Sequence, residues 1–413
     1  MMAPPTNHPA DTGRPCVLIG WELGAGLGHV GMLRPLAVAL RDEGCRVVFA
    51  LRETVNTQSL LGSQGFDVLQ GPVWTAPSNA PQVSLKTLGD VLFAAGYCDA
   101  ERVQRQTEAW MRIVREVDPQ LVIGEYSPGL ALGVIGTRPY ITVGSGFTVL
   151  PQTSPIPPFR YWESEVSAES LQHEAAVQTT IDGVRSRLGM APIGPWSGLF
   201  GGDFVGVCTY PVLDNYRSYR KPRALGPLSE GPVRLSSGAD RRGVFAYLSG
   251  LTKDFETMAR GIASGGEPVQ AYVRDIQPGQ ADLLRSLGVN LHASPQDLRA
   301  KLPHCAVLVH HGGLSTTHTA IETATPQIVL PTVTEQSITG RRLVELGVGL
   351  GLAIRQRTED TVATALRRVA STPSFPARAR LLHENACRHT GPSALQQLMA
   401  GCNQSLQAAR TAA

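Results

Sequence analysis

Leu308-Val309-His310-His311-Gly312-Gly313-Leu314-Ser315-Thr316-Thr317-His318 is the stretch on which the reading of this chain turns. An apolar run, paired histidines, paired glycines and a hydroxyl-rich opening follow one another. Together they predict a buried strand, a tight turn and a helix N-terminus. Such a terminus carries unpaired N–H groups and partial positive charge, which suits a phosphate. His311 is expected to donate a further hydrogen bond to a phosphate oxygen, and Thr316 and Thr317 to add hydroxyl and backbone donors.

Outward from this turn the pattern repeats. Ala306–Val309 is the strand feeding it, Thr316–Thr323 its helix and Gln327–Leu330 the next strand. Upstream, Gly243–Leu248 reads as a strand ending in a loop at Ser249-Gly250. Helix Asp254–Ser264, strand Val269–Val273, helix Gln280–Leu287 and strand Val289–Leu291 follow. The first half has the same character. Strand Cys16–Gly20 leads through a glycine loop, Gly24 to Gly28, into a helix Val30–Glu43, and Gly44 stops it before strand Arg46–Leu51. A β-loop-α-β unit implies a parallel sheet. Ala100–Val117 (helix), Leu121–Gly124 (strand), Gly129–Ile135 (helix) and Tyr140–Gly144 (strand) continue it, and Ser164–Leu188 reads as a helix. Leu381–Ala409 is expected to be one terminal helix.

The whole is an α/β protein of two similar halves. The expected organisation is a leader at 1–14, an N-terminal domain at 15–221, a Pro/Gly/Ser/Arg-rich linker at 222–242, a C-terminal domain at 243–385 and a terminal helix at 386–413. A length of 413 residues suits two domains, since single cores stop growing near 250–300 residues. Hydrophobic content of 42%, charged content of 17% and a net charge of +3 describe an ordinary globular protein and give no basic block for nucleic acid. No apolar run reaches the roughly 18 residues of a membrane span; the nearest, Leu121 to Phe147, is interrupted by Glu125 and Arg138. The polar, proline-rich start lacks the apolar centre of a secretory signal. Seven scattered cysteines with no CxxC pair fit reduced, mostly buried thiols in a cytoplasm. The proline-rich stretch from Thr148 to Tyr161 has the length of a lid or binding loop; the alternative is a surface loop with no role.

Two constellations bear on chemistry in the first half. Gly26-Leu27-Gly28-His29-Val30-Gly31 matches GxGxxG, but Trp21, Glu22 and Leu23 separate it from the strand, and only Arg52-Glu53 stands where an acidic ribose partner belongs. A dinucleotide site is therefore discounted. His29 stands where the glycine loop meets a helix at the carboxyl end of a parallel strand. A histidine there can act as general base, given a carboxylate to fix its tautomer; Glu125, at the end of a neighbouring strand, is the candidate. The alternative is that His29 pairs with backbone and Glu125 is solvated. In the second half Glu335-Gln336, just past a strand end, can grip two neighbouring sugar hydroxyls. His310-His311 has no further ligands at metal spacing, so no metal is expected.

The run from His310 to Gly349, together with Gly28-His29-Val30, Tyr210-Pro211-Val212-Leu213-Asp214 and Leu225-Gly226-Pro227, resembles the UDP-glycosyltransferase family with the GT-B fold. Thr316-Thr317-His318-Thr319-Ala320 is similar to the bacterial enzymes that glycosylate antibiotics. The resemblance implies two Rossmann-like domains facing a cleft, the acceptor on the N-terminal one and the nucleotide-sugar on the C-terminal one. It makes His29 the base and Glu125 its acidic partner, where the family more often has Asp. It assigns the donor to Ser249, Gly250, Gln296, His311, Gly312, Gly313, Ser315, Thr316, Thr317, Glu335 and Gln336. Ala293 stands where a base-stacking tryptophan is usual. Thr319 replaces a ribose-holding glutamate, which leaves UDP and dTDP both open, with Glu322 one turn away.

The implied reaction is inverting transfer of a sugar to a hydroxyl of a small, largely apolar natural product or lipid, with no cofactor and no metal. Trp74, Leu92, Phe93, Phe147, Phe159 and Trp162 are the acceptor-side apolar candidates; filling the core is the other use for them. A nucleotide-sugar epimerase, a nicotinamide-dependent oxidoreductase and a catalytically inactive sugar-nucleotide-binding partner protein are the competing readings. Nucleic acid is not an expected partner; peripheral membrane contact is left open.

Overall fold

The computed structural model describes residues 13–55, 57, 61–75, 83–228, 233, 235, 241–387 and 391–412. Most of the expected leader, and the greater part of the expected linker beyond 228, lie outside the described residues.

Two six-stranded sheets form, and every strand pairing in them is parallel. The first contains β1 (Cys16–Trp21), β2 (Arg46–Leu51), β3 (Asp67–Gln70), β4 (Leu121–Glu125), β5 (Tyr140–Gly144) and β6 (Phe204–Val207), in the order β3-β2-β1-β4-β5-β6. The central strands are continuous apolar runs because helices cover both faces of a parallel sheet. Those helices are α1 (Gly28–Asp42), α2 (Leu88–Ala95), α3 (Ala100–Val117), α4 (Pro128–Val134) and α5 (Ala168–Arg187). In α1 the residues Val30, Leu33, Leu36, Ala37 and Leu40 recur at helical spacing and are the buried ones. Asp99 and Ser167 start α3 and α5 by accepting the amides of Arg102 and Ser170.

The second sheet contains β7 (Val244–Ser249), β8 (Val269–Arg274), β9 (Asn290–His292), β10 (Val307–His310), β11 (Gln327–Val329) and β12 (Gly349–Gly351), in the order β12-β11-β10-β7-β8-β9. Counted from its own first strand, this is the same order as in the first sheet. Its helices are α6 (Phe255–Ala263), α7 (Pro278–Ser286), α8 (Leu314–Glu322), α9 (Thr334–Glu345), α10 (Glu359–Ser371) and α11 (Ser374–Cys387). In an open sheet of this order the strand sequence reverses between the first and fourth strands, and ligands bind at the carboxyl ends beside that reversal. β1/β4 and β7/β10 are therefore the two places to look.

The chain divides into two compact units: residues 1–208, 216–228 and 392–413, and residues 209–215 and 229–391. Residues 209–215 leave the first unit for the second. There Leu213 packs with Ile321, Val329, Leu343 and Val348, and Thr209 Oγ1 lies 3.0 Å from His318 Nε2. Helix α12 (Ala394–Ala412) returns to the first unit, where Leu398, Met399, Cys402 and Leu406 complete the core around Val17 and Val30. The expected single helix Leu381–Ala409 is thus corrected to two, α11 and α12. Between them Pro392 has no amide to offer a continuing helix and restricts Gly391 before it.

The Thr148–Tyr161 stretch is also corrected. Val149, Leu150, Ile156 and Phe159 are all buried, so the segment is mostly core rather than a free lid. Helices α2, α9 and α10 and strands β3, β6 and β12 were not expected. The strands are three or four residues long, and β3 is largely exposed, so none carries a readable alternation. No helix among the described residues is long and apolar enough to cross a membrane.

Candidate functional site

In the first unit the two residues singled out in the sequence meet. His29, in the first turn of α1, places Nδ1 2.8 Å from Glu125 Oε2 at the end of β4. The Glu125 side chain is 1% exposed and that of His29 18%. A carboxylate accepts only, so Nδ1 carries the proton and Nε2 becomes the basic nitrogen. The imidazole is wedged from two sides. Its ring stacks on Trp21 with centroids 5.1 Å apart, and Gly24 passes so close that a Cβ there would sit 2.5 Å from Nε2. Gly24 has φ +86°, so only glycine fits by either criterion.

Sequence reasoning missed what stands behind Glu125. Thr148 Oγ1 is 3.4 Å from Glu125 Oε1, and Thr148 in turn receives the Ser145 amide at 2.9 Å. These residues lie in the turn after β5, next to β4 in the sheet. It missed Glu22 as well, a fully buried carboxyl taking Tyr97 Oη at 2.7 Å, Trp110 Nε1 at 3.1 Å and the amides of Gly129 and Leu130 at 2.8 and 3.3 Å. It caps the N-terminus of α4. Of the apolar candidates, Trp74, Leu92 and Phe159 are core residues, whereas Phe93 and Phe147 are half-buried and Trp162 is exposed.

Burial pushes the carboxyl of Glu22 up to about 7 despite its four donors, and burial does the same to Glu174. A carboxyl whose folded pKa is raised binds more protons folded than unfolded between about pH 4.5 and 7. Its contribution is therefore fully present below pH 4.5 and is lost as pH rises through 7. Urea unfolding of the wild type and of Glu174→Gln, each at pH 5 and pH 8, should show a smaller loss of stability at pH 8 in the variant. Equal losses would remove Glu174 from this account.

In the second unit β7 and β10 end side by side, and their ends are joined. Ser249 N donates to His311 Nε2 at 3.0 Å, while His311 Nδ1 donates to the Leu330 carbonyl at 2.8 Å. Burial holds the imidazole below its usual pKa, so the ring is neutral with its proton on Nδ1. This corrects one expectation: in this arrangement His311 has no N–H to spare for a phosphate and instead positions the Ser249 amide. His310 is structural. Its Nε2 lies 3.0 Å from Gln327 Oε1, its Nδ1 accepts the Gly312 amide at 3.2 Å, and burial pushes it down to about 3.

Gly312, with φ +95°, turns the chain where a Cβ would meet Val329 and Gln336. Gly313 is the N-cap of α8 and offers no side chain to cap it. The first helical bond runs from Thr317 N to Gly313 O. The amides of Leu314, Ser315 and Thr316 precede it and form the open, positive end of the helix. Gly313 and Ser315 are exposed and Thr316 half-buried, as a ligand end requires. Thr317 is corrected out of the donor set: it is buried, and its amide and hydroxyl both serve the Gly313 carbonyl.

The other expected donor residues are close by in the fold but partly engaged. Gly250 is held by Arg274 O and Gln280, and a Cβ there would lie 2.5 Å from Asp275 O. Gln336 Oε1 accepts the Thr332 amide at 2.7 Å and its hydroxyl at 2.9 Å, so this carboxamide closes the turn into α9. Glu335 stands half-buried in the first turn of α9, whose N-cap Val333 provides no side-chain cap. Gln296 bonds its own loop at Ser294 O, 3.0 Å. Glu322 is in an ion pair with Arg299 at 2.9 Å.

Arg357 was not foreseen. Its side chain is fully buried, forks onto Asp254 at 3.0 and 3.4 Å, and donates to the carbonyls of Leu352 and Pro331. It ties the ends of β11 and β12 to the start of α6. Among the described residues no three His, Cys, Asp or Glu side chains group as metal ligands.

Residues 272–400 match the family described as erythromycin biosynthesis protein CIII-like, C-terminal domain. The L-demethylnoviosyl transferase of Streptomyces niveus is 28% identical over 380 residues, covering 88% of this chain and 93% of that protein. The 3-alpha-mycarosylerythronolide B desosaminyl transferase of Saccharopolyspora erythraea is 31% identical over 96 residues; that match spans only 23% of each chain. Among solved structures, glycosyltransferase VinC in complex with dTDP superposes with a TM-score of 0.66 at 19% identity, covering 95% of this chain and all of that one.

Proposed function

We propose that this chain, which has the GT-B fold and whose residues 272–400 belong to the erythromycin-CIII-like C-terminal domain family, is an inverting glycosyltransferase. It moves a sugar from a UDP- or dTDP-sugar to a hydroxyl of a small, apolar natural product. The observation that carries the reading is the matched pair of strand reversals. One holds a histidine oriented by a buried carboxylate. The other holds an uncapped helix end with exposed glycine and serine.

The acceptor O–H proton passes to His29 Nε2 as the oxygen attacks the anomeric carbon. The bond from that carbon to the phosphate oxygen breaks, and the nucleoside diphosphate leaves with the electron pair. Glu125 stabilises the imidazolium. The amides of Leu314, Ser315 and Thr316 stabilise the charge growing on the diphosphate. Glu335 is the sugar-holding carboxylate; neither a metal nor a cofactor has a step to perform. Attack from the face opposite the leaving group inverts the anomeric centre. The reading also places the protein in the cytoplasm, where Cys16, Cys45, Cys98, Cys208, Cys305 and Cys402 stay thiols.

Structure favours dTDP over UDP. The Thr319 hydroxyl is turned to Ser315 O, and Glu322 is committed to Arg299, so α8 presents no carboxylate to a ribose 2′-hydroxyl. The test is thermal unfolding with UDP, dTDP, GDP or NAD, each at millimolar concentration. A ligand at about 100 times its Kd adds roughly 2.7 kcal/mol. We expect dTDP to raise the midpoint by several degrees, UDP by less, and GDP and NAD not at all. Stabilisation by NAD alone would return the discounted glycine pattern and end the transferase reading.

A further inference from the structure

The first unit contains a second histidine–carboxylate pair that the proposed reaction does not use. Asp90, in α2, is fully buried. Its Oδ1 lies 2.7 Å from His173 Nδ1, on α5. Its Oδ2 accepts Ser170 Oγ at 3.0 Å and the amides of Lys86 and Thr87, both at 2.9 Å. Burial works against the charge on Asp90, but the hydrogen bonds from His173, Thr87, Lys86 and Ser170 outweigh it and hold the carboxyl below its usual range. The carboxylate is therefore an acceptor, and the His173 proton sits on Nδ1.

That leaves Nε2. It has no hydrogen-bond partner among the described residues, and it is not among the fully buried unpartnered atoms either. The side chain is 10% exposed. One face of the ring is covered by Phe93, stacked with centroids 4.1 Å apart, and Phe93 is itself half-buried. The result is an imidazole locked in one tautomer, with a lone pair reaching solvent beside an aromatic face. A lone pair that reaches solvent is satisfied by water, and a ligand hydroxyl can take the place of that water.

The pair is also joined to the His29 site through this unit. Phe159 N donates to the carbonyl of Lys86, whose own amide holds Asp90. Phe159 stacks on Phe147 at 4.7 Å, and the Phe147 amide is bound by Ser145 Oγ. Ser145 and Thr148 stand behind Glu125. On the other flank, Glu174 accepts the Ile156 amide. The segment from 145 to 159 thus binds the dyad at one end and the base's carboxylate at the other.

We propose that Asp90–His173 is a second recognition point for the acceptor: His173 Nε2 accepts a hydrogen bond from a hydroxyl on an aromatic or polycyclic molecule whose apolar face lies on Phe93. The inference rests on the transferase reading for the word acceptor, but not for the site. It makes His173 a specificity residue that selects acceptors bearing a second hydroxyl remote from the one glycosylated.

The test uses the full chain and two probes, 2-naphthol and its methyl ether, 2-methoxynaphthalene, which share the ring system and differ in that a methyl group replaces the donated proton. Histidine ring resonances are followed by NMR, with His173 assigned by the signal lost in His173→Asn. Asparagine keeps a donor toward Asp90 and deletes Nε2. We expect 2-naphthol to shift the His173 signal and to bind His173→Asn about five- to tenfold more weakly, the share of one neutral hydrogen bond. The ether should bind both proteins equally. A His173 signal unmoved by 2-naphthol, or equal losses for phenol and ether, would overturn the proposal. If the asparagine variant does not fold, the signal lost in His173→Gln supplies the assignment, and the wild-type shift with 2-naphthol against the ether still decides. Stabilisation by dTDP and by UDP is measured in parallel. The absence of both beside a responding His173 would defeat the transferase reading and leave this site standing; stabilisation by either beside a silent His173 would do the reverse.

Discussion

His29→Ala is expected to lower kcat by about two to four orders of magnitude, the usual contribution of a positioned general base. Stabilisation by dTDP should survive, because His29 belongs to the first unit and the phosphate turn to the second. Glu125→Gln tests the same geometry from the other side. The glutamine amide can present N–H to Nδ1, which moves the imidazole proton onto Nε2 and removes the lone pair that takes the acceptor proton. The variant keeps the shape and should lose most of the rate. The measurement is turnover with a dTDP-sugar beside a nucleotide thermal shift. If His29→Ala keeps more than a tenth of wild-type turnover, His29 is not the base.

Arg357→Met is expected to cost on the order of 3 kcal/mol of stability, because removing one partner of a buried ion pair strands the other. Here Asp254 and the carbonyls of Leu352 and Pro331 lose their donor together. Asp254 is 19% exposed, so water recovers part of its loss and the low end of the usual range applies. For a unit of this size that is roughly 6–12 °C in Tm. Arg357→Lys should recover little, since an ammonium cannot fork across three elements. Urea unfolding with the midpoint unchanged in Arg357→Met would show that the cluster does not hold these loops.

Much of this was legible in the chain. The apolar runs at Arg46–Leu51 and Tyr140–Gly144 and the helical stripe of Ala100–Val117 stand where the sequence puts them, because buried parallel strands and amphipathic helices are written in local composition. His29 and Glu125 were legible as a pair because both stand at strand ends, where open α/β sheets bind ligands. The allegiance of α12 was not. Its stripe of Leu398, Cys402 and Leu406 shows that a core exists for it, not which core. The state of His311 was equally hidden. It depends on the Leu330 carbonyl and the Ser249 amide, and backbone groups leave no trace in residue identity. His173 and Asp90 are 83 residues apart, with nothing in either neighbourhood to announce the other.

The route of the chain between its units sets the rules for any hybrid of this protein with a relative. A single crossover near residue 242, the obvious place from the sequence, would give one parent's core the other parent's α12 and would mismatch Leu213 against a foreign second core. Both plugs would then be strangers to the surfaces they fill, and a misfit of even one methylene is felt in a packed core. An exchange that respects the cores needs more junctions. Residues 209–215 must travel with the second unit, 216–228 must stay with the first, and the last twenty-two residues must go back with the first as well. Recombination in nature faces the same geometry. The inheritable module here is a sheet with its stitched-in pieces, not a continuous length of gene.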